Sequence, residues 1–432
     1  RILAPQPFMK NIFKKFFEKK KIVNQKYLEF EKLKNQSEVK NVFDAISNFS
    51  SDSEIRYVGG CIRKILNNEK VDDIDLSTNI RPEETILALK KNQINFFETG
   101  IKHGTITAVI NQIKFEITSL RKDINTDGRH AEVEFSKNWK EDAIRRDFTF
   151  NSIYADLDGN LFDPFNGIDD LKNGNVKFIG DANLRIKEDY LRILRYIRFF
   201  LNYSNNDHDQ NIKKIIKKNI VGIKKLSNER LLDELKKITL SNGFLKLSKD
   251  NFSLEILLLV FPELINIKIF ENLNNYAQNN ISRQDFIFLL SLMIVDNTNN
   301  VDYFLYKFNV SNEAKKRINF IKNFISQNHD KKYFTENNLW KIFYLHGKQH
   351  LLDIINFKLY TSKNLDKKLV KLKDLFISKS KPEFPIKAQS LIEEFNLKEG
   401  IELGRKLKEI ENLWIENNFN ISKKQIEKIA RN

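Results

Sequence analysis

Residues 56–79, with the sequence RYVGGCIRKILNNEKVDDIDLSTN, decide the fold of this chain. The stretch predicts a strand at residues 55–58, a tight turn at the glycine pair 59–60, the start of a helix and then a second strand. Because side chains alternate along a strand, Asp73 and Asp75 share one face of the second strand. Two carboxylates therefore project together close to a glycine turn.

Neighbouring carboxylates repel each other unless a cation lies between them, and such hard oxygen ligands suit Mg²⁺ carried with substrate phosphates. Gly60 would let backbone N–H groups approach those phosphates, and Arg63 adds a positive charge three residues later. The same residues also fit a solvated surface turn followed by an acidic strand edge. The choice depends on whether a third carboxylate and a base-reading element lie downstream.

A third carboxylate is predicted on a β-hairpin that spans residues 100–120 and turns at Asn111 and Gln112. In its second strand Phe115 lies on the apolar face and Glu116 on the polar face. A single glutamate on the polar face of a strand is usually solvated. Glu116 becomes a candidate because it lies one hairpin away from the strand with the two aspartates.

The next segment, residues 121–135, is polar, contains a glycine and carries charges of both signs. These features predict a loop that becomes ordered on demand. Arg145 and Arg146 follow it, and two adjacent guanidinium forks suit the oxygens of a triphosphate. The arginine pair is therefore predicted to bind a nucleotide.

Residues 186–200, IKEDYLRILRYIRFF, predict one helix with a buried apolar stripe. Four charged residues lie off that stripe at three-residue spacing: Asp189, Arg192, Arg195 and Arg198. Taken alone, they favour a basic helix face with a salt bridge between Asp189 and Arg192.

The composition indicates the kind of partner. The 432 residues include 73 lysines and arginines against 57 aspartates and glutamates, a formal net charge of +16. This surplus favours a polyanion, of which RNA is the commonest case, although compositional drift toward lysine, asparagine and isoleucine is an alternative cause. Cys61 is the only cysteine, which excludes an intramolecular disulfide and a cysteine-based zinc site.

The sequence also bears on location. No apolar run approaches the length of a membrane span. The first residues are basic but have no long apolar core, so they do not resemble a secretory signal, and we expect a cytoplasmic protein without a membrane partner. A mitochondrial presequence is the alternative, but this segment favours lysine over arginine and contains Glu18.

Eight segments occur in the order found in one enzyme family: GGCIR, DID, TGIKHGT, FEITSLRKD, DGRHAEV, RRDFTFNSI, DPFNGIDDL and EDYLRILRYIRF. The chain resembles the class II tRNA nucleotidyltransferases, the CCA-adding enzymes, and their relatives the bacterial poly(A) polymerases. The likeness runs from about residue 57 to residue 240 and is weaker at residues 384–419. One such segment would be a weak signal, whereas eight in register identify the family.

The resemblance implies three groups of site residues. Mg²⁺ would be bound by Asp73 and Asp75, with Glu116 completing the catalytic carboxylates. The triphosphate would be held by Gly60, Arg63 and Arg146. The Watson–Crick edge of CTP or ATP would be read by Asp189 and Arg192 of an EDxxR element, with further nucleotide or phosphate contacts from Arg195 and Arg198.

The resemblance also implies an α+β fold, with a nucleotidyltransferase head similar to that of polymerase β and an antiparallel-rich sheet, followed by an all-α neck, body and tail. The expected segments are a basic helical N-terminal extension at 1–50, the head at 51–175, the neck with its nucleotide-reading helix at 176–240, the body at 241–380 and the tail at 381–432.

The implied activity is template-independent addition of CMP, CMP and AMP to the 3′ end of tRNA from CTP and ATP, with release of pyrophosphate by two-metal catalysis. The alternatives are a poly(A) polymerase, a partial enzyme that adds only CC or only A, and a catalytically silent RNA-binding protein. The loop expected at residues 121–135 favours complete CCA addition, because the change from C to A requires movement around the nucleotide.

Two positions depart from the family pattern. Lys64 stands where the family usually has aspartate, and Ser152 stands where it usually has alanine. The aspartate is commonly associated with selection of ribonucleotides or with order in the helix, so sugar discrimination in this chain is open to question.

Overall fold

The structure is a computed structural model that describes residue 26 and residues 28–126, 131–327 and 331–431. The chain divides into two compact units, residues 1–244 and 245–432. Both β-sheets belong to the first unit, and the regular elements described in the second are helices. None of the helices in the described ranges is long and apolar enough to cross a membrane.

A mixed sheet forms the centre of the N-terminal unit. Its strands and those of a small second sheet are β1 (Ile55–Val58), β2 (Ile74–Thr78), β3 (Asn95–Gly100), β4 (Thr105–Ile110), β5 (Ile113–Ser119), β6 (Arg121–Thr126), β7 (Ala131–Phe135), β8 (Tyr154–Ala155) and β9 (Leu161–Phe162). The main sheet has the order β3-β4-β5-β2-β1-β8-β9. The pair β2 and β5 is parallel and the other neighbours are antiparallel, as the α+β expectation requires.

Helices pack around this sheet and continue beyond it. In the N-terminal unit they are α1 (Ser37–Ser47), α2 (Gly60–Leu66), α3 (Pro82–Lys91), α4 (Trp139–Ile144), α5 (Gly167–Lys172), α6 (Ala182–Glu188), α7 (Leu191–Tyr203), α8 (Gln210–Asn219) and α9 (Asn228–Thr239). The apolar side of α7 is buried and includes Ile193, Leu194 and Ile197. Arg192, Arg195 and Arg198 of α7 lie outside this buried set and are partly exposed.

Two local predictions are confirmed. Strand β1 has the predicted bounds, 55–58. The β4–β5 hairpin turns at Asn111 and Gln112, whose φ angles are +48° and +69°. Two successive positive φ angles match the twist of a two-residue hairpin, and asparagine tolerates them better than most residues.

The loop predicted at residues 121–135 is wrong. Strands β6 and β7 pair in antiparallel register, with Arg121 opposite Phe135 and Lys122 opposite Glu134. Lys122 and Glu134 also form a cross-strand ion pair of 3.0 Å. Residues 131–135, AEVEF, alternate apolar and polar side chains, which is a strand signal, whereas the polar composition of residues 121–135 and their glycine indicated a loop. Residues 127–130, within the DGRHAEV segment, lie outside the described residues.

The single helix predicted at residues 186–200 is interrupted. Helix α6 ends at Glu188 and α7 begins at Leu191, while Asp189 is extended with φ −151° and ψ 105°. The Asp189 side chain accepts a hydrogen bond from the Leu191 backbone N–H at 3.1 Å. Local bonds of this kind compete with helix formation. The expected Asp189–Arg192 salt bridge is also wrong, because Asp189 pairs with Arg230 and Arg192 with Glu188.

The C-terminal unit is a set of packed helices. They are α10 (Asn251–Val260), α11 (Asn275–Asn280), α12 (Phe286–Ile294), α13 (Asn300–Lys307), α14 (Asn312–Ser326), α15 (Glu336–Thr361), α16 (Lys367–Ser378), α17 (Ala388–Phe395), α18 (Ile401–Glu416) and α19 (Lys423–Arg431). Helix α15 is kinked at Gly347, whose φ is +85°. Arg317 and the buried Asp353 form a bidentate ion pair, in which Nε donates to Oδ2 and Nη2 to Oδ1, each at 2.8 Å.

Candidate active site

A polar cavity of about 590 Å³ lies in the N-terminal unit. It brings together the predicted site residues except Glu116 and Arg145. Its lining consists of Gly59, Gly60, Cys61, Arg63, Lys64, Asp73, Asp75, Arg146, Asp147, Asn151, Asp189, Arg192, Arg195, Arg198, Phe199 and Lys237. Cationic side chains outnumber the acidic ones in this lining, so the cavity suits an anionic ligand.

The carboxylates of the cavity belong to β2 and the residue before it. Asp73 directly precedes β2 and is exposed, whereas Asp75 within the strand is half-buried. The exposed Glu116 on β5 is the register partner of Asp75 in the parallel pair. The sequence predicted that Glu116 lies one hairpin away from the strand with the aspartates. In the structure its strand, β5, pairs directly with that strand.

The environment of Asp75 opposes ionisation of its carboxyl group. Burial raises the pKa of Asp75, and the charges of Glu116 and Asp73 raise it further, while Arg146 and Arg63 oppose the increase. A carboxylate in this position resists ionisation unless a cation approaches it. The donor set thus fits a divalent cation with hard oxygen ligands.

The described residues contain no group of three or more His, Cys, Asp or Glu side chains close enough to hold a metal ion. Mg²⁺ commonly takes only one or two protein carboxylates and completes its shell with water and substrate phosphates. Asp73 and Asp75 fit that pattern of binding, in which the substrate supplies part of the metal's coordination.

Arg146 is fixed by a buried carboxylate. Its Nε donates to Asp142 Oδ2 at 3.2 Å and to the Tyr154 hydroxyl at 3.1 Å, and its Nη2 donates to Ser77 Oγ at 3.2 Å. Burial would raise the pKa of Asp142, but Arg146, Arg145 and the Tyr154 hydrogen bond lower it to about 2. Arg145 Nε donates to the same carboxylate at 2.8 Å, and Arg145 is absent from the cavity lining.

Three guanidinium groups surround the ring of Phe199. The guanidinium carbons of Arg63, Arg198 and Arg195 lie 4.6, 4.3 and 5.4 Å from the ring centroid. The face of an aromatic ring attracts cations and helps to keep such groups together. Arg63 is further oriented by its Nε, which donates to the Tyr203 hydroxyl at 3.1 Å, and by a bond to Asn151 Oδ1.

Buried acids hold the other two arginines of this cluster. Arg195 Nε donates to Asp147 Oδ2 at 2.6 Å, and Arg198 Nε donates to Glu234 Oε1 at 2.5 Å. Burial would raise the pKa of Asp147, but Arg195 and Asn151 hold it well below the ordinary value. Burial lowers the pKa of Arg198, Glu234 opposes the change, and the nearby Arg195 and Arg63 lower it further. An incoming anion would relieve this repulsion.

The two predicted base-reading residues both line the cavity and both have protein partners. Asp189 Oδ2 accepts from Arg230 Nη2 at 2.8 Å. Arg192 Nη1 donates to Glu188 Oε2 at 2.8 Å and to the Arg185 carbonyl at 2.7 Å. The sequence analysis missed the direct contact between Asp189 and Arg230, because it joins the break between α6 and α7 to a residue of α9 that is distant in sequence.

Other lining residues were also missed. Asp147 and Asn151 fall within the RRDFTFNSI segment, which could have suggested them, and Phe199 ends the EDYLRILRYIRF segment. Lys237 on α9 has no comparable signal, because exposed lysines are frequent throughout this chain.

Comparison with known proteins agrees with this arrangement. Residues 55–177 match the family described as the poly A polymerase head domain. Human mitochondrial CCA tRNA nucleotidyltransferase 1 is 48% identical over 192 residues, and this alignment spans 44% of each chain. The chain thus spans less than half the length of that relative. The CCA-adding enzyme of Lactococcus lactis subsp. cremoris strain MG1363 is 30% identical over 380 residues, which cover 84% of this chain and 89% of that enzyme.

A solved structure is similar in fold. The Bacillus stearothermophilus CCA-adding enzyme in complex with CTP matches with a TM-score of 0.67 at 19% identity, covering 92% of this chain and 97% of that chain. Because the Lactococcus relative combines 30% identity with alignment over most of both chains, the present chain belongs to the family of CCA-adding enzymes.

Proposed function

We propose that this protein adds CMP, CMP and AMP to the 3′ end of tRNA, using CTP and ATP and releasing pyrophosphate. The observation that carries the proposal is one cavity in which Asp73 and Asp75 lie beside a cluster of arginines. Nucleotidyl transfer needs a cation to offset charge on the reacting phosphate and fixed donors to hold the triphosphate. The two aspartates can hold the cation, and the arginines can supply the donors.

Asp73 and Asp75 would hold Mg²⁺ together with the phosphates of the nucleotide. A metal held there would supply activation of the 3′-hydroxyl of the RNA and charge stabilisation for the leaving pyrophosphate. The raised pKa of Asp75 supports this role, because a cation would favour the ionised carboxylate. Glu116, as the register partner of Asp75, adds negative charge at the same corner.

Arg63 and Arg146 would bind the triphosphate. Arg146 is oriented by Asp142 and Arg63 by Tyr203, so each guanidinium is already positioned before the ligand arrives. Positioned donors stabilise developing charge without reorganisation. Gly60 belongs to the same lining, and we propose that its backbone helps to hold the phosphates.

Asp189 and Arg192 would read the nucleotide base. Cytosine and adenine each present an amino donor beside a ring-nitrogen acceptor, which an aspartate acceptor and an arginine donor can match. Uracil and guanine present a carbonyl beside a ring N–H, so the same pair would oppose them. Arg192 would have to exchange its partner Glu188 for the base, whereas Asp189 can keep its bond to Arg230, because a carboxylate accepts several hydrogen bonds.

Poly(A) addition to RNA is the second candidate, supported by the match of residues 55–177 to the poly A polymerase head domain. The expected mobility of residues 121–135 no longer favours CCA addition, because strands β6 and β7 pair. The cytoplasmic location stays a prediction, since a similar human protein is named as mitochondrial.

The test is an extension series with nucleotides omitted. A tRNA that ends before CCA is incubated with Mg²⁺ and CTP alone, and a tRNA that ends in CC with ATP alone. We expect the first to gain two C residues and stop, and the second to gain one A. An unrelated RNA receives all four nucleotides, and the Asp73→Ala variant serves as the inactive control.

Other outcomes distinguish the alternatives. Long A tails on the tRNA that ends in CC and on the unrelated RNA would identify a poly(A) polymerase. Addition of C without A, or of A without C, would identify a partial enzyme. RNA binding without extension by the wild-type protein would indicate the catalytically silent alternative.

A further inference from the structure

Two lysines line the cavity and have more exposed acidic partners than three of its arginines. Lys64 on α2 has its Nζ 3.2 Å from Asp72 Oδ2, and Lys237 on α9 has its Nζ 2.7 Å from Asp233 Oδ2. The side chains of these two aspartates are 59% and 58% exposed. Ion pairs with such exposed partners are weak and are screened by salt.

Several arginines of the cavity are held by buried acids. Arg195, Arg198 and Arg146 pair with Asp147, Glu234 and Asp142, whose side chains are 9%, 1% and 0% exposed. Separation of such a pair would leave a buried charge without its partner. The two lysines can therefore change partners on ligand binding at much lower cost than these arginines.

We propose that Lys64 and Lys237 bind backbone phosphates of RNA near its 3′ end and release Asp72 and Asp233. The inference rests on the proposed function and identifies part of its RNA contact.

The chemistry favours RNA phosphates over the phosphates of the nucleotide. Arg63 and Arg146 already supply fixed guanidinium donors in the same cavity as Asp75. Lysine instead provides a compact, hydrated charge on a flexible stem, which suits contact with a phosphodiester whose position varies. Contacts to phosphate position a nucleic acid without reading its sequence.

The test is the salt dependence of RNA binding. The affinity for a tRNA that ends before CCA is measured at several KCl concentrations for the wild type, Lys64→Ala, Lys237→Ala and the double variant. Each substitution should weaken binding and reduce the slope of log affinity against log salt by about 0.7, the value for one contact with a single strand. An unrelated RNA should lose affinity in the same proportion.

Matched controls lie next to each lysine. Lys70, 91% exposed and 3.8 Å from Asp72, and Lys236, exposed beside Lys237 on α9, are absent from the cavity lining. The Lys70→Ala and Lys236→Ala variants should keep the wild-type slope. CTP affinity, measured on every variant, reports whether the lysines bind the triphosphate instead.

The outcomes separate this inference from the proposed function. Slopes equal to those of the control variants would overturn the inference, and so would a loss of CTP affinity with RNA affinity unchanged. Failure of the wild-type protein to bind any RNA would overturn the proposed function and this inference together.

Discussion

Asp75 and Glu116 are register partners on the adjacent parallel strands β2 and β5. After burial, the charge of Glu116 is the largest contribution that raises the pKa of Asp75. The charge of Glu116 therefore opposes ionisation of the half-buried Asp75 carboxylate, and a bound cation would favour it. This relationship between two strands connects the fold to the proposed chemistry.

The Glu116→Gln substitution should shift the acid limb of the pH–rate profile to lower pH. Removal of the glutamate charge lowers the pKa of Asp75, so Asp75 stays ionised in more acidic solution. If Glu116 is one of the catalytic carboxylates, its loss also lowers the maximal rate. Each profile is therefore normalised to its own maximum, so that only the position of the acid limb is compared. An unmoved acid limb, or an equal shift in a Glu98→Gln control on β3, would contradict the coupling.

The Asp75→Asn substitution should remove activity without lowering stability. A carboxyl whose pKa is raised in the folded state favours folding when protonated, and this contribution is lost as pH rises through the folded pKa. At neutral pH the neutral asparagine should therefore match or exceed the wild type in Tm in the absence of Mg²⁺, with about 2–4 °C for each kcal/mol gained. Mg²⁺ and CTP together should raise the Tm of the wild type and not that of the variant. A variant that melts well below the wild type would show that Asp75 supports the fold.

The Asp142→Ala substitution should destabilise the N-terminal unit by about 3–5 kcal/mol, because Arg145 and Arg146 would lose their buried partner. The pKa of Asp142 is held at about 2, below the ordinary value, so its contribution is present at neutral pH and is lost as pH falls through about 2. Urea unfolding at pH 7 measures the change. Asp52→Ala, which removes an exposed partner of Lys137, is the control and should have little effect.

The Arg230→Gln substitution should relax base selection. Arg230 Nη2 donates to Asp189 Oδ2 at 2.8 Å and so positions the proposed base-reading carboxylate without lining the cavity. We expect the ratio of kcat/KM for CTP to that for UTP to fall by about tenfold, the effect of one weakened hydrogen bond to a charged group. Arg230→Lys should restore part of the ratio because it keeps the charge. A uniform loss for both nucleotides would indicate a purely structural role.

The sequence predicted the local parts of this arrangement. The strand at 55–58 and the turn at Asn111 and Gln112 follow from alternation and turn chemistry, and both are confirmed. Residues 121–126 and 131–135 form paired strands where a loop was expected, because the prediction rested on the polar composition of the segment and not on the alternation of AEVEF at residues 131–135.

Long-range contacts were harder to predict. The helix break at Asp189 depends on its bond to the Leu191 N–H and accompanies its pairing with Arg230 on α9. Asp142 holds both Arg145 and Arg146, a role that spacing could suggest only weakly. Pairs of this kind depend on the three-dimensional arrangement of the chain.

The central claim is tested most directly by the intact mass of the RNA product. A tRNA that ends before CCA is incubated with the wild-type protein, Mg²⁺, CTP and ATP, and the intact mass of the product is measured by mass spectrometry. We predict one product, heavier by two cytidylates and one adenylate, and no change with Asp73→Ala. A ladder of products that differ by successive adenylates would contradict the account and identify a poly(A) polymerase.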